Sequence, residues 1–192
     1  MIRLAIIGDI GSGKSHVAKK FGYPVFNADS EVSKLYKKSR KCYSKLKKIL
    51  PKYITSFPIK KSELSKAVVV DSANIKKIVK VIHPEVQKKM KKFIKKNKNK
   101  KFIVLDIPLF IENKLNKKND ILIYVKATRK EINKRLKKRL NFNPKIVKKL
   151  KKFQLPLEIK KRKSDFVIKN NFKNNSIKKS VKIIKKNILL NA

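Results

Sequence analysis

Five short apolar runs are spaced along this chain, and the first three end at a glycine, an asparagine and an aspartate. The runs are Ile2–Ile7, Val25–Phe26, Phe102–Leu105, Ile121–Val125 and Asp165–Lys169. Continuous apolar runs, in contrast to alternating ones, are typical of strands buried on both faces of a parallel sheet. The pattern therefore predicts five strands.

Between these runs, apolar residues recur at three- and four-residue intervals, which predicts helices. Thr128 and Glu131 form a capping box that starts a helix carrying Arg135 and Arg139. The predicted helices cover residues 14–21 and a stretch from Asp29 or Ser30 into the forties. Two helical stripes of apolar residues lie between 62 and 82, and a third helix starts at His83-Pro84. The helix after Thr128 is broken at Asn141–Pro144, and the last predicted helices cover residues 145–153 and 176–190. The last helix offers Ile177, Val181, Ile184 and Leu189 as candidate core.

Strands that alternate with helices in this way predict an α/β fold in three layers, with a five-stranded parallel sheet covered by helices on both faces. Ligands of such sheets bind beyond the carboxyl ends of the strands. Asp29 and Asp106 follow two of the predicted strands. We expect them to converge in one crevice with whatever loop follows the first strand.

The loop after the first strand has the pattern G-x-x-x-x-G-K-[ST], which is the phosphate-binding P-loop in its required context of strand, loop and helix. Its glycines allow a tight turn that aims backbone N–H groups at a polyphosphate, its lysine reaches the β- and γ-phosphates, and its serine hydroxyl holds Mg²⁺. The candidate nucleotide-binding residues are Gly8, Gly11, Ser12, Gly13, Lys14, Ser15 and the following His16. The sequence therefore predicts binding of a polyphosphate together with Mg²⁺.

The formal net charge of +43 raises the alternative of a nucleic-acid-binding protein with a residual P-loop. Of the 55 basic residues only six are arginines, and the lysines are spread over the whole length without a stripe of interleaved aromatic residues. This distribution favours a solvated surface over a specific nucleic-acid site. We expect non-specific binding to nucleic acid at low salt only.

Cys42 is the only cysteine, so no intrachain disulfide is possible, and no Cys/His metal pattern is present. The longest apolar stretch, 102–111, is broken by Asp106 and Pro108 and is too short to span a bilayer. Because the first predicted strand begins at Ile2, we expect no signal peptide. We expect a cytoplasmic protein with no membrane partner, as a monomer or small homo-oligomer.

Several polar residues are candidates for phosphoryl-transfer chemistry, and each has a structural alternative. Asp29 is a candidate general base or a helix N-cap. Asp106 is a candidate second metal-associated carboxylate or a turn residue at a strand end. Arg135 and Arg139, four residues apart on one predicted helix, are candidates for contacting the transferred phosphoryl group or are a solvated face.

Five segments together resemble the dephospho-CoA kinase family. The P-loop 8–15 is similar to that family's Gly-Gly-Ile-Gly-Ser-Gly-Lys-Ser, and Asn27-Ala28-Asp29 to its Asp-Ala-Asp. The other similar segments are His83-Pro84, the Pro-Leu-x-x-Glu segment of Pro108 to Glu112, and Gln154-Leu155-Pro156-Leu157-Glu158 followed by Asp165-Phe166-Val167-Ile168-Lys169-Asn170. The departures are Asp9 in place of a loop glycine, Asn27 in place of an aspartate, Lys61 in place of an arginine, and Phe172 in place of a glycine.

The resemblance implies ATP-dependent phosphorylation of the 3′-hydroxyl of the ribose of dephospho-CoA, giving coenzyme A and ADP, the last step of coenzyme A synthesis. It implies that Asp29 is the base and that the acceptor contacts His83, Pro108, Glu112 and Gln154. It also implies one P-loop kinase domain over 1–192, with an acceptor-binding insertion at about 55–98 and a lid at about 128–162. A P-loop kinase of another small acceptor, such as a nucleoside or nucleoside monophosphate, remains an alternative.

Overall fold

The computed structural model describes residues 1–139 and 142–190. Its strands are β1 (Ile2–Gly8), β2 (Val25–Asn27), β3 (Phe102–Asp106), β4 (Asp120–Lys126) and β5 (Phe166–Lys169). Its helices are α1 (Lys14–Lys20), α2 (Ala28–Lys38), α3 (Arg40–Ile49), α4 (Lys61–Val70), α5 (Ala73–Lys96), α6 (Arg129–Lys137), α7 (Pro144–Lys151), α8 (Leu157–Arg162) and α9 (Asn174–Leu190).

The five strands form one parallel sheet in the order β2-β3-β1-β4-β5, which confirms the predicted α/β fold. β1 lies at the centre and ends at Gly8, between β3 and β4. Asn27 at the end of β2 is paired with Asp106 at the end of β3. The sheet therefore places the P-loop and these two polar residues at the same edge.

The chain divides into two compact units. One, here called the sheet unit, comprises Met1–Asn27, Asn97–Phe142 and Lys151–Ala192. The other, called the helical unit, comprises Ala28–Lys96 and Asn143–Leu150. The proposed insertion and lid, at about 55–98 and 128–162, stay predictions.

The core of the sheet unit is formed by alternate residues of the central strands packed against α1 and α9. Val17 and Phe21 from the α1 segment and Ile177, Val181 and Ile184 from α9 are all buried there. Leu189 was predicted to join them, but it is 42% exposed and Ile188 is buried in its place. The buried face of α9 repeats at intervals of three or four residues, so it continues from Ile184 to Ile188, whereas Leu189, five residues after Ile184, lies off that face.

The core of the helical unit is separate, with Leu46, Ile54, Ala67 and Ile82 among its buried residues. Lys149 of α7 donates hydrogen bonds to the backbone carbonyls of Val68 and Val69 at 2.8 and 3.0 Å, at the carboxyl end of α4. Cations at this end of a helix satisfy carbonyls that have no partner within the helix.

The single helix predicted from Asp29 into the forties is wrong, because the chain breaks at Ser39. Ser39 is extended, with φ −96° and ψ 98°, and its hydroxyl accepts the backbone N–H of Cys42. It therefore acts as the N-cap of α3. Cys42, at the start of α3, is buried.

The prediction that a separate helix starts at His83-Pro84 is also wrong, since α5 continues through Pro84 without interruption. A proline inside a helix leaves the carbonyl four residues earlier without its donor. Here that carbonyl belongs to Lys80, and both Lys80 and Pro84 lie on the exposed side of the helix, where solvent is available as a donor. His83 therefore lies in mid-helix and caps nothing.

The capping box of Thr128 and Glu131 is confirmed: each side chain accepts the other's backbone N–H. The helix it starts ends at Lys137, so Arg139 lies beyond it, which corrects the prediction that Arg135 and Arg139 share one helix. The predicted helix break begins at Asn141, which with Leu140 lies outside the described residues. α8 was not predicted at all.

Candidate active site

Gly8 ends the central strand where only glycine fits. Its φ is 147°, and a Cβ placed on it would lie 2.7 Å from the carbonyl oxygen of Val125, its neighbour on β4. Gly13, with φ 91°, is the N-cap of α1, and a Cβ there would collide with the side-chain amide of Asn170. Both glycines are therefore required by close packing around the loop as well as by its turn.

The side chain of Asn170 holds the P-loop from the end of β5. Its Nδ2 donates to the carbonyl oxygen of Ser12 at 2.8 Å, and its Oδ1 accepts the N–H of Phe172, also at 2.8 Å. Asn170 is only 2% exposed. A buried side chain with this pair of partners fixes the loop relative to the sheet.

Lys14 lies folded over the loop. It is 8% exposed, and its Nζ donates to the carbonyl oxygens of Asp9 at 2.8 Å and Gly8 at 3.4 Å. A buried ammonium held by backbone carbonyls is a point charge placed inside the loop. The two residues after it, Ser15 and His16, are exposed at the start of α1.

Asn27, Asp106 and Ser15 are brought together at the sheet edge. The Asn27 amide donates to a carboxylate oxygen of Asp106, and it lies 3.3 Å from the hydroxyl oxygen of Ser15. Asp106 is 2% exposed, whereas Ser15 is exposed. This cluster follows from the strand register, which pairs Asn27 with Asp106 directly.

Phe172 and Arg135 lie beside the loop, and the Phe172 ring would be 3.1 Å from a Cβ placed on Gly13. Phe172 has φ 61°, a left-handed conformation that glycine adopts without strain and that a residue with a side chain rarely adopts. The Arg135 guanidinium lies 4.3 Å from the centre of the Phe172 ring. The other predicted arginine, Arg139, is exposed and its N–H donates to the carbonyl of Leu136.

Asp9 carries a carboxylate inside the loop. One oxygen accepts the N–H of Ile10 at 2.6 Å and the other lies 3.2 Å from the Nζ of Lys151. Burial raises the pKa of the Tyr124 phenol, and the negative charges of Asp9 and Glu158 raise it further. The Asp9 carboxylate therefore has a backbone donor, a lysine ammonium and the Tyr124 phenol among its neighbours.

Glu112 forms a buried ion pair with Lys160, with Oε1 and Nζ 2.6 Å apart and side chains 9% and 1% exposed. The same oxygen accepts the N–H of Leu155 at 3.0 Å. The neighbouring Gln154 is half-buried, and its buried Nε2 has no hydrogen-bond partner among the described residues. Pro108 lies half-buried in the turn after β3.

Two predicted site residues belong to the helical unit. Asp29 is exposed in the first turn of α2, two residues after the end of β2. His83 is half-buried in α5, and burial lowers its pKa.

Four residues of the site were missed as contributors by sequence reasoning. Asn27 is the last residue of β2, and Asn170 directly follows β5. Because ligands of such sheets bind beyond the carboxyl ends of the strands, the sequence could have indicated both residues. Lys151 and Lys160 carry no such signal, because in a chain so rich in lysine their side chains look like surface.

A parallel sheet whose central strand leads into a P-loop, with a buried lysine in the loop and a serine and a carboxylate beside it, defines a P-loop nucleotide-binding protein. The model of the dephospho-CoA kinase family matches residues 2–176. The chain belongs to the dephospho-CoA kinase family and is therefore an ATP-dependent kinase.

Two curated relatives agree with this assignment, and a solved structure shares the fold. The dephospho-CoA kinase of Bartonella quintana (strain Toulouse) is 35% identical over 170 residues, which is 86% of this chain and 87% of that protein. The dephospho-CoA kinase of Wolbachia pipientis wMel is 32% identical over 193 residues, 98% of each chain. The crystal structure of TT1252 from Thermus thermophilus shares the fold, with a TM-score of 0.74 at 24% identity over 99% of this chain and 97% of that one.

No helix among residues 1–139 and 142–190 is long and apolar enough to cross a membrane.

Proposed function

We propose that this chain transfers the γ-phosphoryl group of ATP to the 3′-hydroxyl of the ribose of dephospho-CoA, giving ADP and coenzyme A. The observation that carries the proposal is the extent of the family match, which runs from residue 2 to residue 176. It includes all of the helical unit as well as the P-loop. A P-loop kinase for an unrelated acceptor has no reason to match the family outside the loop.

In this proposal the phosphates of ATP bind in the P-loop. Lys14 supplies a buried positive charge there, and Asn170 keeps the loop in position before ATP arrives. Positioning and charge neutralisation are the main contributions that phosphoryl transfer needs from a protein.

Mg²⁺ fits the cluster at the sheet edge. The hydroxyl of Ser15 and the carboxylate of Asp106 are hard oxygen ligands, and Mg²⁺ commonly binds through one or two such groups together with waters and substrate phosphates. Bound there, it would neutralise charge on the β- and γ-phosphates. The amide of Asn27, which already contacts both residues, would orient them.

Asp29 is the proposed base. In the reaction the 3′-oxygen of the acceptor forms a bond to the γ-phosphorus as the bond from that phosphorus to the bridging oxygen of ADP breaks. The hydroxyl proton passes to the carboxylate of Asp29. The support is its exposed position in the first turn of α2, directly after a strand that ends at the site edge.

The remaining predicted contacts are proposals of the same kind. We assign contacts with the acceptor to His83 and Pro108. We assign Gln154 to the lid segment, as a residue that contacts the substrate from there. Glu112 helps to position Gln154, because its carboxylate accepts the N–H of the next residue, Leu155. Closure of the lid at about 128–162 would keep water from accepting the phosphoryl group.

The proposal is tested by ADP release with ATP and Mg²⁺ in the presence of dephospho-CoA, adenosine, deoxyadenosine or nucleoside monophosphates, each at several concentrations. We expect turnover with dephospho-CoA and little above the water background with the others. Omission of Mg²⁺ is expected to abolish turnover. Faster turnover with any nucleoside or nucleoside monophosphate would overturn the assignment of the acceptor.

A further inference from the structure

The carboxylate of Asp9 is an unexpected charge in a loop that has to accept a polyphosphate. The P-loop pattern G-x-x-x-x-G-K-[ST] does not require a charge at this position, and in this chain the residue there is an aspartate. In this chain the Asp9 side chain is only 11% exposed. A negative charge with little access to water is poorly screened, and it opposes the binding of an anion nearby.

Two contacts occupy the oxygens of that carboxylate. Oδ1 accepts the N–H of Ile10, which is itself a backbone donor of the loop, at 2.6 Å. Oδ2 lies 3.2 Å from the Nζ of Lys151, the last residue of α7. The Asp9 residue also anchors Lys14, whose Nζ donates to its backbone carbonyl at 2.8 Å.

Lys151 is suited to neutralise Asp9. Its side chain is 41% exposed, so the stem extends from solvent toward the loop and only the ammonium reaches the carboxylate. In an isolated surface pair such a contact contributes little to stability. Here we expect the contact to reduce the negative potential inside the loop, because the Asp9 carboxylate is almost buried.

We propose that Lys151 is a positioning residue for ATP, which compensates the charge of Asp9 so that the loop remains able to bind a polyphosphate. Lys151 lies in the segment predicted to form the lid, and both partners of the pair belong to the sheet unit. This inference rests on the proposed placement of the ATP phosphates in the P-loop. It does not depend on which acceptor is used.

The test is calorimetric titration with ATP and excess Mg²⁺, without acceptor, on the full-length protein. Lys151→Met is compared with Lys152→Met, which removes the same charge from the exposed neighbouring residue. We expect Lys151→Met to weaken ATP binding about tenfold and Lys152→Met to weaken it less than about twofold, because only the first leaves an uncompensated carboxylate in the loop.

The second half of the test uses Asp9→Asn, which retains an oxygen for the N–H of Ile10 but removes the charge. In this background we expect Lys151→Met to change ATP affinity by less than about twofold, since no charge is left to compensate. Thermal unfolding of every variant checks that each one is folded.

Two results would overturn the inference. One is an equal loss for Lys151→Met and Lys152→Met. The other is a loss for Lys151→Met that is as large in the Asp9→Asn background as in the unsubstituted protein, which would mean that Lys151 contacts the phosphates directly. Absence of ATP binding by the unsubstituted protein would overturn both this inference and the proposed function, whereas normal ATP binding without turnover on dephospho-CoA would contradict the proposed function alone.

Discussion

The side-chain amide of Asn170 donates a hydrogen bond of 2.8 Å to the backbone carbonyl of Ser12, a residue 158 positions earlier in the chain. The contact joins the loop after β5 to the phosphate-binding loop after β1. It gives a physical role to an asparagine that the sequence alone presented only as part of a motif.

Replacing Asn170 with alanine is expected to raise the KM for ATP about tenfold and to lower the free energy of unfolding by about 1–3 kcal/mol. The substitution leaves the buried carbonyl of Ser12 and the N–H of Phe172 without their partners. Steady-state kinetics and urea unfolding measure the two effects.

Asn171→Ala is the matched control for this prediction, because Asn171 is exposed and its side chain accepts hydrogen bonds from Lys173 and Ser176 of its own segment. It is expected to leave the KM for ATP within about twofold of the unsubstituted value, as for a surface substitution. Equal KM values for the two variants would show that Asn170 does not position the loop.

The buried ion pair of Glu112 and Lys160 is expected to contribute strongly to the stability of the fold. Lys160→Met leaves a carboxylate with little access to water, so we expect a loss of about 3–5 kcal/mol in the free energy of unfolding. Replacing both residues, with Glu112→Gln added, is expected to cost less than the two single losses combined.

The control for the buried pair is Lys161→Met, which breaks the exposed contact between Lys161 and Glu158 at 3.9 Å. We expect a change within about 0.5 kcal/mol, as for most surface ion pairs. Equal losses for Lys160→Met and Lys161→Met in urea unfolding would contradict the account of the buried pair.

Glu63 gives the helical unit a dependence on pH. Burial alone would raise the pKa of this carboxyl, but hydrogen bonds from the side chains of Thr55 and Ser56 and from the backbone of Thr55 and Lys60 lower it below its ordinary value of 4.5. Because the folded state favours the charged form, its stabilising contribution is present above pH 4.5 and is lost as the pH falls through the lowered pKa.

Glu63→Gln is therefore expected to lower the free energy of unfolding by about 1–3 kcal/mol at about pH 7. The difference from the unsubstituted protein should narrow as the pH is lowered below 4.5. Glu158→Gln, at an 87% exposed side chain, is the control and should change little at either pH. A difference for Glu63→Gln that is constant with pH would contradict the assigned cause.

We expect the activity with ATP to depend on the planar guanidinium of Arg135. It stacks on the ring of Phe172, a geometry that a lysine ammonium does not reproduce. We expect Arg135→Lys to lower kcat/KM for ATP about tenfold or more, whereas Arg129→Lys, at another exposed position on the same helix, should remain within about twofold. The same loss for both would indicate that the stacked geometry is not used.

The strands and the P-loop were predictable from the sequence because each depends on local pattern. An apolar run bounded by Gly8 or Asp106 leaves few alternatives to a buried strand, and the spacing of the loop glycines matches the turn that they make. The strand register then follows, and with it the contact between Asn27 and Asp106.

The errors in the helices arose where tertiary packing or capping overrides a local rule. Pro84 is read as a helix start, but the apolar face of α5 continues past it from Ile82 to Met90, and both are buried. Ser39 breaks a continuous pattern because its hydroxyl caps the next helix. No periodicity distinguishes a capping serine from a surface serine.

The two ion pairs of the site could not be predicted from the sequence, and the reason is the composition of the chain. Lys151 and Lys160 are chemically identical to the many solvated lysines of the chain, and what separates them is the carboxylate each one contacts, Asp9 and Glu112. Those contacts join residues far apart in the chain. Only the folded arrangement reveals them.

Asp29→Asn is expected to lower kcat at least about a hundredfold with little change in the KM for ATP, because a general base contributes to the chemical step. Glu31→Gln removes the other carboxylate from the first turn of α2 and serves as the control for a helix-end effect. Comparable losses for the two variants would return Asp29 to a structural role at the start of the helix.

The central claim is tested most directly by identifying the product formed from ATP, Mg²⁺ and dephospho-CoA by mass spectrometry and phosphorus NMR. The account predicts one new phosphate monoester on the ribose 3′-hydroxyl and one ADP for each molecule of coenzyme A formed. Formation of ADP and inorganic phosphate without a phosphorylated acceptor, or a phosphate at any other hydroxyl, would contradict it.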